Sequence, residues 1–259
     1  MALLHLPHTF TTFTFILPHT KFLSIRHLKW RKPIKSNGII SRSLFGWGGS
    51  IDPKKDSPTY HNIDPPFPPS LLQNTFLAGK EVRCCYRACE DGFSATSFHQ
   101  HCDFKGPCVI VGYTQKGLRF GGFNPEGYRS TDDYYDTLDA FLFYWPQHRH
   151  GNAEEESEDV ELLPKVGGSG AALFDYRRGG PQFGPDGLLI GPPMASVMGG
   201  FAGPDTNSGA GDLKIAKSRL GLSYAKRSDG KDSVFGDDRT ANLVDVHVFC
   251  SPQIADLYC

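Results

Sequence analysis

Seven cysteines, ten histidines and a scatter of carboxylates are the side chains of this 259-residue chain that could carry chemistry. The cysteines fall at 84, 85, 89, 102, 108, 250 and 259. None forms a Cys-x-x-Cys pair, and Cys84 and Cys85 would point to opposite faces of a strand, so their spacing argues against a zinc site. An odd number without paired spacing suits a reducing compartment. Cys89 stands apart beside the turn residues Asp91 and Gly92, where a thiol would be exposed and oxidisable. His99 and His101 lie about 200° apart around a helix and cannot share one metal ion. His148 and His150 precede Glu154, Glu155, Glu156, Glu158 and Asp159, but a stretch without regular structure to fix ligands reads as a charged loop. The sequence contains no Gly-x-Ser-x-Gly elbow, His-Glu-x-x-His pair or Walker loop. Gly167-Gly-Ser-Gly170 lacks the third glycine and the Lys-Ser/Thr of phosphate-binding loops, and reads as a hairpin connection. The expectation is a chain with no catalytic residue, no metal and no cofactor.

The elements around Cys89 are legible. Val82–Arg87, Cys108–Tyr113, Leu118–Phe123 and Ala140–Trp145 are short aromatic or β-branched runs bounded by turn residues, which predicts buried antiparallel strands. Thr114–Gly117 makes the second and third a hairpin. Asp91-Gly92 turns the chain out of the first strand, and Ser94 is placed to cap a helix whose Phe98 and Cys102 share a face. The pair Gly121-Gly122 inside a strand predicts either a bulge or a close approach of another group to the main chain, with packing favoured over a ligand contact. Further strands are predicted at Val160–Leu163, Ala171–Tyr176, Leu188–Ile190, Arg219–Tyr224 and Leu243–Cys250. In the last, Val244, Val246 and Val248 alternate with Asp245, His247 and Phe249, the pattern of a strand with one buried face.

Tyr86-Arg-Ala-Cys-Glu-Asp-Gly-Phe-Ser94, followed by Phe98, Cys102, Gly106-Pro107, Phe120-Gly-Gly-Phe123 and Ala140-Phe-Leu-Phe143, resembles the TLDc domain family over about residues 70–250. On that resemblance Asp91, Gly92, Ser94, Gly106, Pro107, Gly121, Gly122, Phe123 and Phe141 are signature residues with structural tasks. The resemblance implies a mainly β fold with a few short helices, a two-sheet antiparallel β-sandwich without an agreed catalytic site. It also implies association with resistance to oxidative stress and, in some members, binding to the vacuolar-type proton ATPase. The family often carries a glutamate in its last strand, where this chain has Asp245 and His247. Cys89 stands where relatives usually have a small residue such as serine.

Charge separates the first segment from the rest. Seven of the chain's 27 lysines and arginines precede the first carboxylate, Asp52, leaving 20 bases against 28 acids, or −8, downstream. Residues 1–50 are acid-free, basic and rich in Ser and Thr, which predicts a disordered transit peptide for the chloroplast, with the stroma as destination and the mitochondrion as second choice. Residues 51–69 read as a proline-rich linker, 70–250 as the domain with loops or insertions at 146–159 and 191–217, and 251–259 as a tail without a helix to grip a large partner. No run approaches the roughly 18 apolar residues of a membrane span, and the acidic remainder gives no general attraction to nucleic acid. The functional expectation is a non-enzymatic module with an unidentified protein partner. Regulation of a proton ATPase and thiol-dependent redox catalysis through Cys89 are the alternatives.

Overall fold

The computed structural model of the chain describes residues 60–146, 159–192, 194–196, 202–204 and 211–258. The expected transit peptide, the first part of the expected linker and most of the charged loop after Pro146 lie outside the described residues. In chain order the elements are β1 (Arg83–Arg87), α1 (Ala88–Asp91), α2 (Ala95–Cys102), β2 (Cys108–Thr114), β3 (Arg119–Asn124), β4 (Asp133–Tyr135), β5 (Phe141–Tyr144), β6 (Glu161–Pro164), β7 (Leu173–Asp175), β8 (Gln182–Phe183), β9 (Leu188–Ile190), β10 (Met194–Ser196), β11 (Ala202–Pro204), β12 (Ile215–Ser218), β13 (Thr240–Cys250) and α3 (Pro252–Ala255). The chain is mainly β with a few short helices.

Eleven of the strands form one antiparallel sheet in the order β4-β7-β8-β9-β12-β13-β2-β3-β5-β6, with β1 added to β13, while β10 and β11 pair separately. The long β13 joins the two halves. It pairs β2 along one edge, while its other edge pairs β12 through Thr240–Asn242 and β1 through His247–Cys250. The two separate sheets of a sandwich are therefore replaced by two limbs of one sheet, curled into a half-barrel. The curl is visible at Phe183 of β8, whose ring would meet a Cβ on Gly122 of β3 at 2.5 Å although β9, β12, β13 and β2 lie between those strands in the sheet. Gly121 and Gly122 pair with Val111 and Ile110 in unbroken register, so close packing, and not a bulge, explains the glycines.

Both sheet faces are covered. Ile110, Phe120, Leu142, Phe183, Leu188, Val246 and Val248 belong to the inner core, and Phe67, Leu71, Leu77, Val109, Phe123 and Phe249 to the outer one. Strand β13 thus has two buried faces and not the expected one: Asp245, His247 and Phe249 are buried like Val246 and Val248, whereas Val244, next to a register shift, is 53% exposed. The outer cover begins before Ser70. His61 N donates to the Cys84 carbonyl at 2.9 Å, and Phe67 lies edge-on to Phe249 at 5.5 Å, so residues 60–69 pack as part of the domain where a linker was expected.

Two further expectations shift. Arg219–Tyr224 is irregular, its backbone bonding to Asp186 and Asp232, and the strand falls earlier at β12, which begins inside the range assigned to an insertion. The tail after β13 holds the four-residue helix α3.

Candidate functional site

The strand-to-helix corner carrying Cys89 is organised by two carboxylates. Asp91 ends α1 and accepts from the backbone N–H of Arg87 at 2.7 Å, which closes the turn. Its Oδ2 also bonds His61 Nε2 at 2.8 Å, and His61 Nδ1 lies 3.1 Å from Glu90, so the incoming segment is tied to the corner. His101 Nε2 is 3.6 Å from the other oxygen. Gly92 follows with φ +103, a conformation that L side chains rarely adopt. Ser94 then caps α2, its Oγ accepting from Ser97 N at 3.1 Å.

Asp245 of β13 is the second centre. Its carboxylate accepts from Cys89 N at 3.0 Å, Cys89 Sγ at 3.0 Å, Arg87 Nε at 3.1 Å and Val246 N at 2.9 Å, and bonds His247 Nε2 at 2.8 Å. Arg87 links the two centres, its backbone N–H bonding Asp91 and its Nε Asp245, while its side chain also pairs with Glu90. Burial opposes the Asp245 charge, but hydrogen bonds from His247 and Cys89 outweigh it and hold the carboxyl well below the usual carboxylate range.

Cys89, Asp245 and His247 are the residue types of a catalytic triad in an arrangement that does not activate the thiol. In a working triad the imidazole stands between nucleophile and carboxylate and takes the proton. Here Asp245 stands in the middle, and partial desolvation together with its hydrogen bond and charge pushes the exposed Cys89 thiol up to about 11. The exposure expected from sequence is present, and burial and Asp245 favour the thiol over the thiolate.

A buried cluster on α2 was missed by sequence reasoning, which considered only the two helix histidines. Among the described residues, His99, Asp103 and Asp175 bring ligand-type atoms within 4.8 Å of one another. Their bonding explains them without an ion. His99 Nδ1 faces Asp103 at 2.8 Å, while Nε2 faces the carbonyls of Tyr176 at 2.9 Å and Gly179 at 3.1 Å. A carbonyl only accepts, so Nε2 must donate, and a carboxylate facing Nδ1 favours the doubly protonated ring. Burial opposes that charge, yet the bond and charge of Asp103 raise the pKa above the ordinary histidine value. Asp175 accepts from the backbone N–H groups of Arg129, Ser130 and Thr131.

The remaining signature residues have packing tasks. Gly106, at φ +75, lets the Ile254 side chain within 2.6 Å of its absent Cβ, and Pro107 is buried beside it. Phe123 stacks on Phe141 at 5.3 Å. On another side a cleft of about 640 Å³ is lined by Lys116, Arg119, Trp145, Arg227, Lys231 and Phe235 among others. Arg119 lies over the Trp145 ring at 4.9 Å, and Lys116 and Lys231 pair with Asp238 and Asp237.

The chain folds as a curled antiparallel β domain whose corner carboxylates Asp91 and Asp245 are committed to turns and strand ends, with a separate cleft whose lining includes Trp145 and Phe235. Residues 60–184 match the family model for the TLDc domain, and the chain carries a TLDc domain over that span. The match ends in β8, while β9, β12 and β13 continue the same sheet beyond it. No curated protein matches the chain. At family level the TLDc domain points to a protein-interaction module related to oxidative stress. No helix among the described residues is long and apolar enough to cross a membrane.

Proposed function

We propose that this TLDc domain is a non-enzymatic protein-interaction module serving oxidative-stress protection in the chloroplast. The observation that supports the non-enzymatic part is that, among the described residues, the Cys89 thiol bonds a carboxylate and not an imidazole, and this carboxylate favours the protonated thiol. The organelle rests on the acid-free, hydroxyl-rich first 50 residues. Partner contact is placed at the Trp145 cleft, because buried aromatics and arginines dominate interface energetics and the rim ion pairs are exposed enough to be exchanged at little cost.

Affinity isolation with the full chain tests the reading. A partner recovered by the native protein and by Cys89→Ser, but lost with Lys116→Glu at an unchanged melting midpoint, is the expected result. Multiple peroxide turnovers by the purified chain, abolished by Cys89→Ser, would replace the module with a thiol enzyme. A fluorescent fusion of residues 1–60 is expected to enter plastids and lose its N-terminal part; uniform cytosolic signal with an intact terminus removes the organelle from the proposal.

A further inference from the structure

Four cysteines of the inner core stand in a row that the sequence spacing conceals. Cys108 and Cys250 are directly paired across β2 and β13, Cys85 is the extra residue at the register shift of β1, and Cys102 lies on α2; all four are buried in the same cluster. The thiol of Cys85 reaches both Cys102 and Cys250.

The backbone bonding fixes the geometry of the Cys108–Cys250 pair. Thr114 N donates to the Leu118 carbonyl, and β2 pairs β3 in unbroken register from there to Cys108. Even-numbered residues of β2 therefore direct their amide groups at β3, and odd-numbered ones bond the β13 side, as Gln115 N does to the Asn242 carbonyl. Cys108 and Cys250 thus form a non-hydrogen-bonded cross-strand pair, the kind whose Cα atoms stand about 4.5 Å apart with side chains on one face. A disulfide needs roughly 4.4–6.8 Å between Cα atoms, so this pair can be bridged without moving the strands.

We infer that Cys108 and Cys250 are a redox modification site, a dithiol that a hydroperoxide closes to a cross-strand disulfide and thiol reductants reopen. One sulfur, as thiolate, attacks the peroxide oxygen; the O–O bond breaks, the alcohol leaves, and a sulfenic acid remains. The second sulfur displaces the sulfenic oxygen, which leaves as water, and the S–S bond forms. Two thiols lose two electrons and two protons, and the hydroperoxide is reduced to alcohol and water, or to two waters when it is hydrogen peroxide.

Access sets the rate. Burial pushes the Cys108 thiol far up, and the Cys85 contact and burial do the same to Cys250, so attack proceeds through a locally opened form. Tyr60 lies against the row: its ring packs on the inner core, its hydroxyl lies beside Cys250, and Lys105 Nζ sits 5.9 Å from the ring centroid. Lifting Tyr60 would leave Cys250 facing the Lys105 cation, which favours the thiolate.

The test is peptide mapping of the purified full chain after graded hydrogen peroxide and alkylation of the remaining thiols. The expected product is a monomer with one linked peptide joining Cys108 to Cys250, reversed by dithiothreitol, with the far-ultraviolet dichroism of the reduced protein. Tyr60→Ala is expected to accelerate its formation several-fold, and Cys108→Ala to remove it. The wild-type map is decisive even if that variant fails to fold. Cys108 and Cys250 both still alkylatable after Cys89 is fully oxidised, or Cys250 linked to Cys85 instead, would overturn the assignment.

Discussion

His99 is a buried imidazole whose charged form is favoured by Asp103, so its worth depends on pH. Its pKa is raised in the folded domain, so its stabilising contribution is complete below the unfolded value of about 6.5 and is lost as pH rises through the higher folded value. Replacing it with Gln should cost about 1.5–3 kcal/mol at pH 6, the range for hydrogen bonds to charged groups, and measurably less at pH 9. Urea midpoints of the two proteins at both pH values check this; a pH-independent difference would show a neutral His99. Cys89 gives the complementary test. The Asp245 carboxylate helps hold its thiol near 11, so Asp245→Asn should lower that value and speed iodoacetamide labelling at pH 8. Labelling no faster than in the native protein would mean that desolvation alone protects the thiol.

Paired glycines join element geometry to the curl of the sheet. A side chain at Gly122 would meet Phe183 at 2.5 Å, and one at Gly121 would run into the Ile110 carbonyl. Gly122→Val should therefore destabilise by roughly 1–3 kcal/mol through overpacking, and Phe183→Leu in the same chain should return part of that loss. Additive costs from the two changes would show that the ring does not close over this glycine. The sequence marked the position but left bulge and close approach open, because the contacting residue lies 61 positions away. Strands β2, β3 and β5 were readable because aromatic and β-branched runs end in local turns. Strand β12 was not: Ile215–Ser218 carries a weak apolar signal, whereas the more apolar Arg219–Tyr224 is diverted by Gly221 at φ +97. The candidate corner was half legible. Asp91, Gly92 and Ser94 act within one turn, but Asp245 meets Cys89 across 156 positions, a pairing that no local pattern announces.

At the scale of the whole molecule, the domain extends to Tyr60 because a curled sheet leaves an outer face that its own strands cannot cover. Val109, Val111, Phe123, Phe143 and Phe249 line that face, and Phe67, Leu71, Leu72 and Leu77 are the buried residues of the incoming segment that close it. The prolines around Phe67 suit this task, since an extended segment with fixed φ lays one ring on the sheet at low entropic cost. His61 adds a backbone bond to Cys84 and ties to Asp91 and Glu90. A chain starting at residue 60 should thus unfold cooperatively at the midpoint of the full-length protein. One starting at residue 70 loses the packing of Tyr60, Ile63 and Phe67 and exposes Phe249. At about 1.5–3 kcal/mol per fully buried large apolar side chain, discounted for two that are only partly buried, the loss is roughly 3–6 kcal/mol. Domains of this kind have about 5–15 kcal/mol in total, so the shorter chain should melt far lower or bind hydrophobic dye as a loosened state. Equal urea midpoints for the two truncations would show that residues 60–69 lie on the sheet without stabilising it.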